Sequence, residues 1–341
     1  MRGLEGFYRG VNLGGWLSQC DHTKETYDNF IKEEDIDAIG KWGLDHVRLP
    51  VDYDLILNDD FSFREEGFGY IDNAVKWCAK NDLNMVLDLH KTCGYSFDAG
   101  ENEEGFFDSE KYQEIFYQIW EEFSRRYGNN DRVIFELLNE VTKKEYCEEW
   151  NRISTECIKR IRKILPTQRI IIGGYYNNSI EALPDLAMPY DENIIYTFHC
   201  YEPLIFTHQG AYWIPPMDTS FRISLDSSYE KLNEMSGKYL DQVTVGFKGL
   251  DKDSSLSPEY FYRLFEEAVK IAEERNVPLY CGEYGVIDLA SPEDAIKWYS
   301  IISDAFNKFN IGRCSWSYKK MDFGISDERF KDRFGELLKY L

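Results

Sequence analysis

Two glutamates set the chemistry this sequence can support. Glu140 follows the apolar run Arg132–Leu138 in Asn139-Glu140-Val141, and Glu283 stands in Cys281-Gly282-Glu283-Tyr284-Gly285. Other apolar runs end in side chains that bind or orient polar groups: Arg48 in His46-Val47-Arg48-Leu49-Pro50, His90 in Asp88-Leu89-His90, His199 and Tyr201 around Cys200, and Trp316 after Cys314-Ser315. Taken singly, each has a plain structural explanation, as a solvated loop residue, a hydrogen-bonding histidine or a core tryptophan. Eight such residues at six run ends are not explained by packing, because a buried charge is costly unless it is paired. Two carboxylates flanking a neutral substrate can hydrolyse a glycosidic bond. One protonates the leaving oxygen, and the other attacks the anomeric carbon at a carboxyl separation of about 5–5.5 Å, or activates water at about 6.5–9.5 Å.

These residues meet only if the runs are strands of one sheet. The expected strands are Tyr8–Leu13, His46–Val51, Met85–His90, Arg132–Leu138, Arg169–Gly173, Ile194–His199, Leu279–Gly282 and Arg313–Trp316. Most are nearly continuous apolar runs, as parallel strands covered on both faces require. Helical stripes lie between them: Ile71, Ala74, Val75 and Cys78; Tyr112, Ile115, Phe116, Ile119 and Phe123; Tyr146, Trp150, Ile153, Cys157 and Ile161; and Phe261, Leu264, Phe265 and Ala268. Ser257-Pro258-Glu259 and Ser291-Pro292-Glu293 read as capped helix starts, and Gly43 and Gly128 as stops. Strands alternating with helices, without GxGxxG or GxxxxGK[ST], favour a closed (β/α)8 TIM barrel over an open doubly wound sheet. A barrel brings the C-terminal strand ends to one mouth, and strands 4 and 7 face each other across it. Residues 1–341 then form one catalytic domain. The stretch 202–257 is too long for a loop and carries Trp213, Pro215, Pro216 and a helix near Tyr229–Met235. It is expected to be a small subdomain inserted after strand 6 and packed over the mouth.

Composition narrows the substrate. Of 341 residues, 43% are hydrophobic and 16% aromatic, ample for a large core. Lys and Arg number 39 against 61 Asp and Glu, and the net charge of −22 repels phosphate backbones and anionic lipid. No nucleic-acid partner and no membrane is expected, and a neutral substrate fits. No apolar run reaches the roughly 18 residues of a membrane span. The start Met1–Gly6 lacks an apolar core, so the expected location is the cytoplasm, or outside the cell if a signal lies beyond this sequence. The eight cysteines form no CxxC pair and are read as free thiols. HExxH and GxSxG are absent, and neither Lys91 nor Lys319 stands out as a Schiff-base former. No metal or cofactor is expected, and a monomer is.

In order and position these residues resemble glycoside hydrolase family 5, the family of many cellulases, within the clan of retaining (β/α)8 glycosidases. Asn12-Leu13-Gly14-Gly15-Trp16, Tyr280-Cys281-Gly282-Glu283 and Trp316-x-Tyr318-Lys319-Lys320-Met321-Asp322-Phe323 are similar to the clostridial endoglucanases of that family, which carry an insertion after strand 6. The resemblance implies that Glu140 is the general acid/base and Glu283 the nucleophile, kept ionised by Arg48 and Tyr201. It implies that Asn139 holds the sugar 2-hydroxyl, that His90 and His199 bind hydroxyls and orient the glutamates, and that Trp316 stacks on the sugar at subsite −1, serving the substrate rather than the core. Two positions depart: Val141 replaces a proline common after the acid, and Lys91 replaces a second histidine. The implied activity is a retaining endo-β-1,4-glucanase acting on a β-glucan or oligosaccharide, mixed β-1,3/1,4-glucan included. Alternatives on the same fold are exo-β-1,3-glucanase, β-glucosidase, β-mannanase and a non-catalytic carbohydrate-binding barrel. The start Gly10–Leu17 also resembles the exo-β-1,3-glucanases, but Ser18-Gln19-Cys20 follow Trp16 where those enzymes usually place an acidic residue.

Overall fold

The computed structural model describes residues 1–98, 100–101, 103–240, 247 and 249–341. Eight parallel strands close on themselves in chain order. They are β1 (Arg9–Asn12), β2 (His46–Asp52), β3 (Asn84–Lys91), β4 (Val133–Glu136), β5 (Ile170–Ile172), β6 (Ile194–His199), β7 (Leu279–Tyr284) and β8 (Gly312–Ser315). Pairing of Gly10 with both His46 and Cys314 joins β1 to β2 and β8 and completes the circle.

The apolar runs are continuous because each strand is buried on both faces. Residues two apart share a face. Outward, Val47, Leu49, Leu87, Phe135, Ile170, Ile194, Phe198 and Leu279 pack in the large core beneath the helices. Inward, Val86, Ile134, Ile171, Ile195, Tyr280 and Cys314 form one apolar layer that Leu4 and Phe7 join. Two residues further along the strands the interior turns polar, with Asn12, Arg48, Asp88, Glu136 and Thr197 all buried. The barrel is therefore graded from a hydrocarbon plug to a charged layer beneath the mouth.

The long helices Glu65–Lys80, Glu110–Tyr127, Cys147–Ile164 and Pro258–Arg275 bury most of the expected stripes, with Val75, Tyr112 and Leu264 half-buried, and Pro292–Phe309 is a fifth long helix. Tyr146 lies in a 3₁₀ turn just before its helix. Ser291 accepts from the Asp294 N–H at 3.1 Å, but the Ser257 hydroxyl makes no capping bond, so Pro258 alone marks that start. Gly43 ends its helix with φ +76, a left-handed conformation. Gly128 serves by close packing instead, because a Cβ there would stand 1.9 Å from Leu165 Cδ1. No long helix separates β5 from β6; a turn at Tyr175–Asn178 and a 3₁₀ stretch at Ile180–Asp185 suffice.

The connection after β6 holds a helix at Tyr229–Tyr239, four residues longer than expected, and a Ser228–Ser255 bridge ties the start of that helix to the later part of the connection. Leu225, Tyr229, Leu232 and Leu256 join the main core, and Ala211 packs with Ile287, Trp316 and Phe323 at the mouth. Of the expected 202–257 insertion, 241–246 and 248 lie outside the described residues. All eight cysteines are free, and no helix among the described residues is long and apolar enough to cross a membrane.

Candidate active site

Arg48 organises the site from below. It sits mid-strand on β2, not at its end, and is fully buried. Its Nε and Nη2 donate to Glu136 at 2.7 and 3.2 Å, a bidentate pair, and Nη2 lies 3.1 Å from Asp88. Nη1 donates to Asn12 Oδ1 at 3.0 Å and to Glu283 Oε1 at 2.9 Å, and Nη2 to Asn139 Oδ1 at 2.7 Å. Asn12 and Glu136 escaped the sequence reading as site residues. The available signal for Glu136 was a lone carboxylate inside the apolar strand β4.

Strand parity alone would turn Glu283 outward with Cys281. The ladders on both sides of β7 shift register here, opposite His199 and again between Cys281 and Tyr284. Such irregularities re-aim a side chain. Glu283 consequently points over the barrel, where Tyr201 donates to its Oε2 at 2.8 Å.

Glu140 is fixed from three directions. Tyr95 donates to its backbone carbonyl at 2.7 Å, His199 Nδ1 lies 2.7 Å from Oε1, and Asn177 Nδ2 donates to Oε2 at 2.6 Å. Asn178 Nδ2 donates to the Asn139 carbonyl at 2.8 Å and lies 3.3 Å from His199 Nε2. Because this amide must donate to the carbonyl, Nε2 faces a donor and the His199 proton sits on Nδ1. Burial lowers the His199 pKa to about 4, so the ring is neutral near pH 7. Neither Asn177 nor Asn178 was singled out in the sequence; their signal was an Asn-Asn pair, a residue type that tolerates left-handed backbone.

The two glutamates meet. His199 Nδ1 is also 3.7 Å from Glu283 Oε2, and one oxygen of Glu140, one of Glu283 and the His199 nitrogen lie within 4.8 Å of one another. Burial pushes both carboxyls up to about 7. The Arg48 guanidinium and the Tyr201 hydroxyl oppose that shift at Glu283, whereas Glu140 receives direct bonds only from neutral donors. The Arg48 charge opposes the rise at Glu140 too, but of the two carboxyls Glu283 is the one it bonds directly. A cation would tolerate the donor spacing of Glu140, His199 and Glu283, and of His22, Asp52 and Asp54, but Arg48 already supplies the positive charge at Glu283.

His90 and Trp316 line the mouth beside this network. Their rings are parallel within 3° at 5.8 Å, and His90 Nδ1 is 2.6 Å from Asp88. Among the described residues His90 Nδ1 thus meets Asp88, and of the two histidines His199 is the one in contact with the glutamates. Trp316, only 6% exposed, also packs in the small apolar cluster with Ala211, Ile287 and Phe323, so the division between core and site residue does not hold there. Lys91 is bound to Glu101 at 2.6 Å and Asp98 at 3.0 Å, which ties it to the loop after β3. Asn139 Nδ2 is buried with no partner among the described residues.

Known proteins place this arrangement. Residues 8–322 match the family model for cellulase (glycosyl hydrolase family 5). Cellodextrinase A of Ruminococcus flavefaciens is 47% identical over 90% of this chain and 84% of its own length. Endoglucanase C of Acetivibrio thermocellus is 38% identical over 98% of both chains. Among solved structures, Cel5A of Thermotoga maritima in complex with mannotriose is similar with a TM-score of 0.76 and 26% identity, covering 98% of this chain and 97% of that one. The polar mouth built on Arg48 and the match along nearly the whole barrel lead to one conclusion: the chain belongs to the cellulase family, glycosyl hydrolase family 5, and is a glycoside hydrolase.

Proposed function

We propose that the chain cleaves β-1,4-glucosidic bonds of cellulose-type or mixed-linkage β-glucans by double displacement with retention. The observation that carries the reading is the approach of one oxygen of Glu140 and one of Glu283 to within 4.8 Å, which fits the short separation of retention rather than the about 6.5–9.5 Å of inversion. Glu283, ionised beside Arg48, attacks the anomeric carbon while Glu140 delivers its proton to the departing glycosidic oxygen. Glu140, now a carboxylate, takes a proton from water as the water oxygen displaces Glu283 from that carbon. The unpartnered Asn139 amide suits the 2-hydroxyl of the sugar, a contact that strengthens in the transition state. Trp316 offers its face to the same sugar, and His199 orients Glu140.

The likeness to the 47%-identical cellodextrinase favours a second reading in which short β-1,4-linked oligosaccharides are the substrate. Early products from barley β-glucan and from cellodextrins separate the two, with Glu283→Gln as control. A ladder of oligosaccharides from the polymer supports the endoglucanase. Rapid turnover of cellodextrins with no early ladder supports the second reading. Wild-type turnover in Glu283→Gln would refute the nucleophile assignment.

A further inference from the structure

We infer that Asn177 is a positioning residue for the acid/base, stabilising the ionised form of Glu140 at the oxygen that gives and takes the catalytic proton; this rests on the assignment of Glu140 above. His199 occupies Oε1 as a fixed donor, since its Nε2 faces the Asn178 amide. The travelling proton must therefore ride on Oε2, where the Asn177 amide lies at 2.6 Å. Asn177 is solvent-exposed, so Oε2 is the oxygen on the open side of the cleft, where a leaving group departs and water enters.

The backbone is built to hold this amide in place. Tyr176, Asn177 and Asn178 take φ of 51, 57 and 56°, three successive left-handed residues without a glycine. Such a run is unfavourable for side chains bearing a Cβ and persists only where surrounding contacts hold it. Here the Asn177 N–H donates to the Val141 carbonyl at 3.0 Å, and Asn178 grips the Asn139 carbonyl. The turn after β5 is thereby fastened to the segment bearing Glu140 on both sides of that residue.

In the first step Oε2–H passes its proton to the glycosidic oxygen as the bond to the anomeric carbon breaks. The new carboxylate receives the Asn177 N–H. In the second step Oε2 accepts a proton from the attacking water while the bond from that carbon to Glu283 breaks, and the Asn177 bond weakens again. Burial raises the Glu140 pKa, and the Asn177 bond is the foremost influence lowering it. The charged and titratable groups around Glu140 are Arg48 on β2, Asp88 on β3, Tyr95 and Asp98 on the following loop, His199 on β6, Tyr201 just beyond it and Glu283 on β7. None of the seven is replaced by a change at Asn177.

The test is the pH profile of kcat/KM on a soluble cello-oligosaccharide for Asn177→Gly, which accepts the left-handed backbone and removes only the amide, and for Asn177→Asp. The basic limb, set by Glu140, should move up by about half to one pH unit in Asn177→Gly, the scale of one neutral hydrogen bond. It should move further in Asn177→Asp, where a second carboxylate faces Oε2. The acidic limb should stay in place in Asn177→Gly. A basic limb at the wild-type position in both variants, whatever the loss in kcat, overturns the inference. Glu140→Ala on the same substrate is the control. If it keeps wild-type activity, the acid/base assignment itself fails.

Discussion

Replacing Glu140 by glutamine should stabilise the protein while disabling it, and only above mildly acidic pH. Burial raises the Glu140 carboxyl from the ordinary value of about 4.3 to about 7. The folded state therefore holds its proton over a pH range in which the unfolded chain has released it. Stability from this group is fully present below about pH 4, declines as pH rises towards 7, and stays low above it. At about 1.36 kcal/mol per unit, the loss amounts to about 3 to 4 kcal/mol at pH 8. Glu140→Gln removes the titration; its carbonyl can still accept from His199, and its amide, at the Oε2 position, is met once the exposed Asn177 side chain turns to present its oxygen. With an unfolding entropy of about 0.7 kcal/mol/K for a chain of this size, Tm should rise by about 4–5 °C at pH 8. It should be nearly unchanged at pH 4. Thermal unfolding of both proteins at pH 4, 6 and 8 checks this. Two parallel pH curves, or a shift as large at pH 4 as at pH 8, would refute the picture of a desolvated, charge-repelled carboxyl at this position.

Arg48→Met should cost about 3–5 kcal/mol by denaturant unfolding at pH 7, because it strands Asp88, Glu136 and Glu283 without their shared cation. Arg48→Lys should fall between, keeping the charge but losing the fork that binds Glu136 through two nitrogens. Tyr201→Phe removes the donor to Glu283 Oε2 and should raise that carboxyl's pKa, moving the acidic limb of kcat/KM upward by about half a unit. A proton NMR time course on a β-glucan oligosaccharide should show the β-anomer as first product. An initial α-anomer would show that the 4.8 Å approach of the two glutamates has been misread.

What the sequence disclosed and what it hid divide along physical lines. The strands were legible because both faces are apolar, and their ends were located within a few residues. The mouth residues were legible because polar side chains punctuate those runs. Glu136 was hidden by the same logic: it lies inside β4, and only the structure shows Arg48 beside it. The aim of Glu283 was also hidden, since a period of two points it at the helices and the register shift beside His199 reverses that. The Tyr176–Asn178 turn carries no glycine, so its left-handed backbone gave no usual sign. Ser257 shows the opposite error, a capping pattern with no capping bond.

The two glutamates are chemically identical, and both are buried beneath the same mouth, so burial alone cannot give them different tasks. The difference begins one layer lower. Arg48 is held rigidly by Glu136 and Asp88, which leaves Nη1 free to face Glu283 and not Glu140. A guanidinium without those two carboxylates below would carry an unpaired charge in a hydrocarbon interior; the carboxylates without the guanidinium would need protons. The graded interior therefore does more than fill the barrel. Its apolar plug isolates the ionic layer from water on one side, and of the two glutamates above that layer Arg48 bonds Glu283 directly. On the proposed assignment Glu140, bonded by the neutral donors His199 and Asn177, is the partner that holds and releases the proton. On the proposed assignment, the division of labour at the mouth follows from which carboxylate one buried arginine touches.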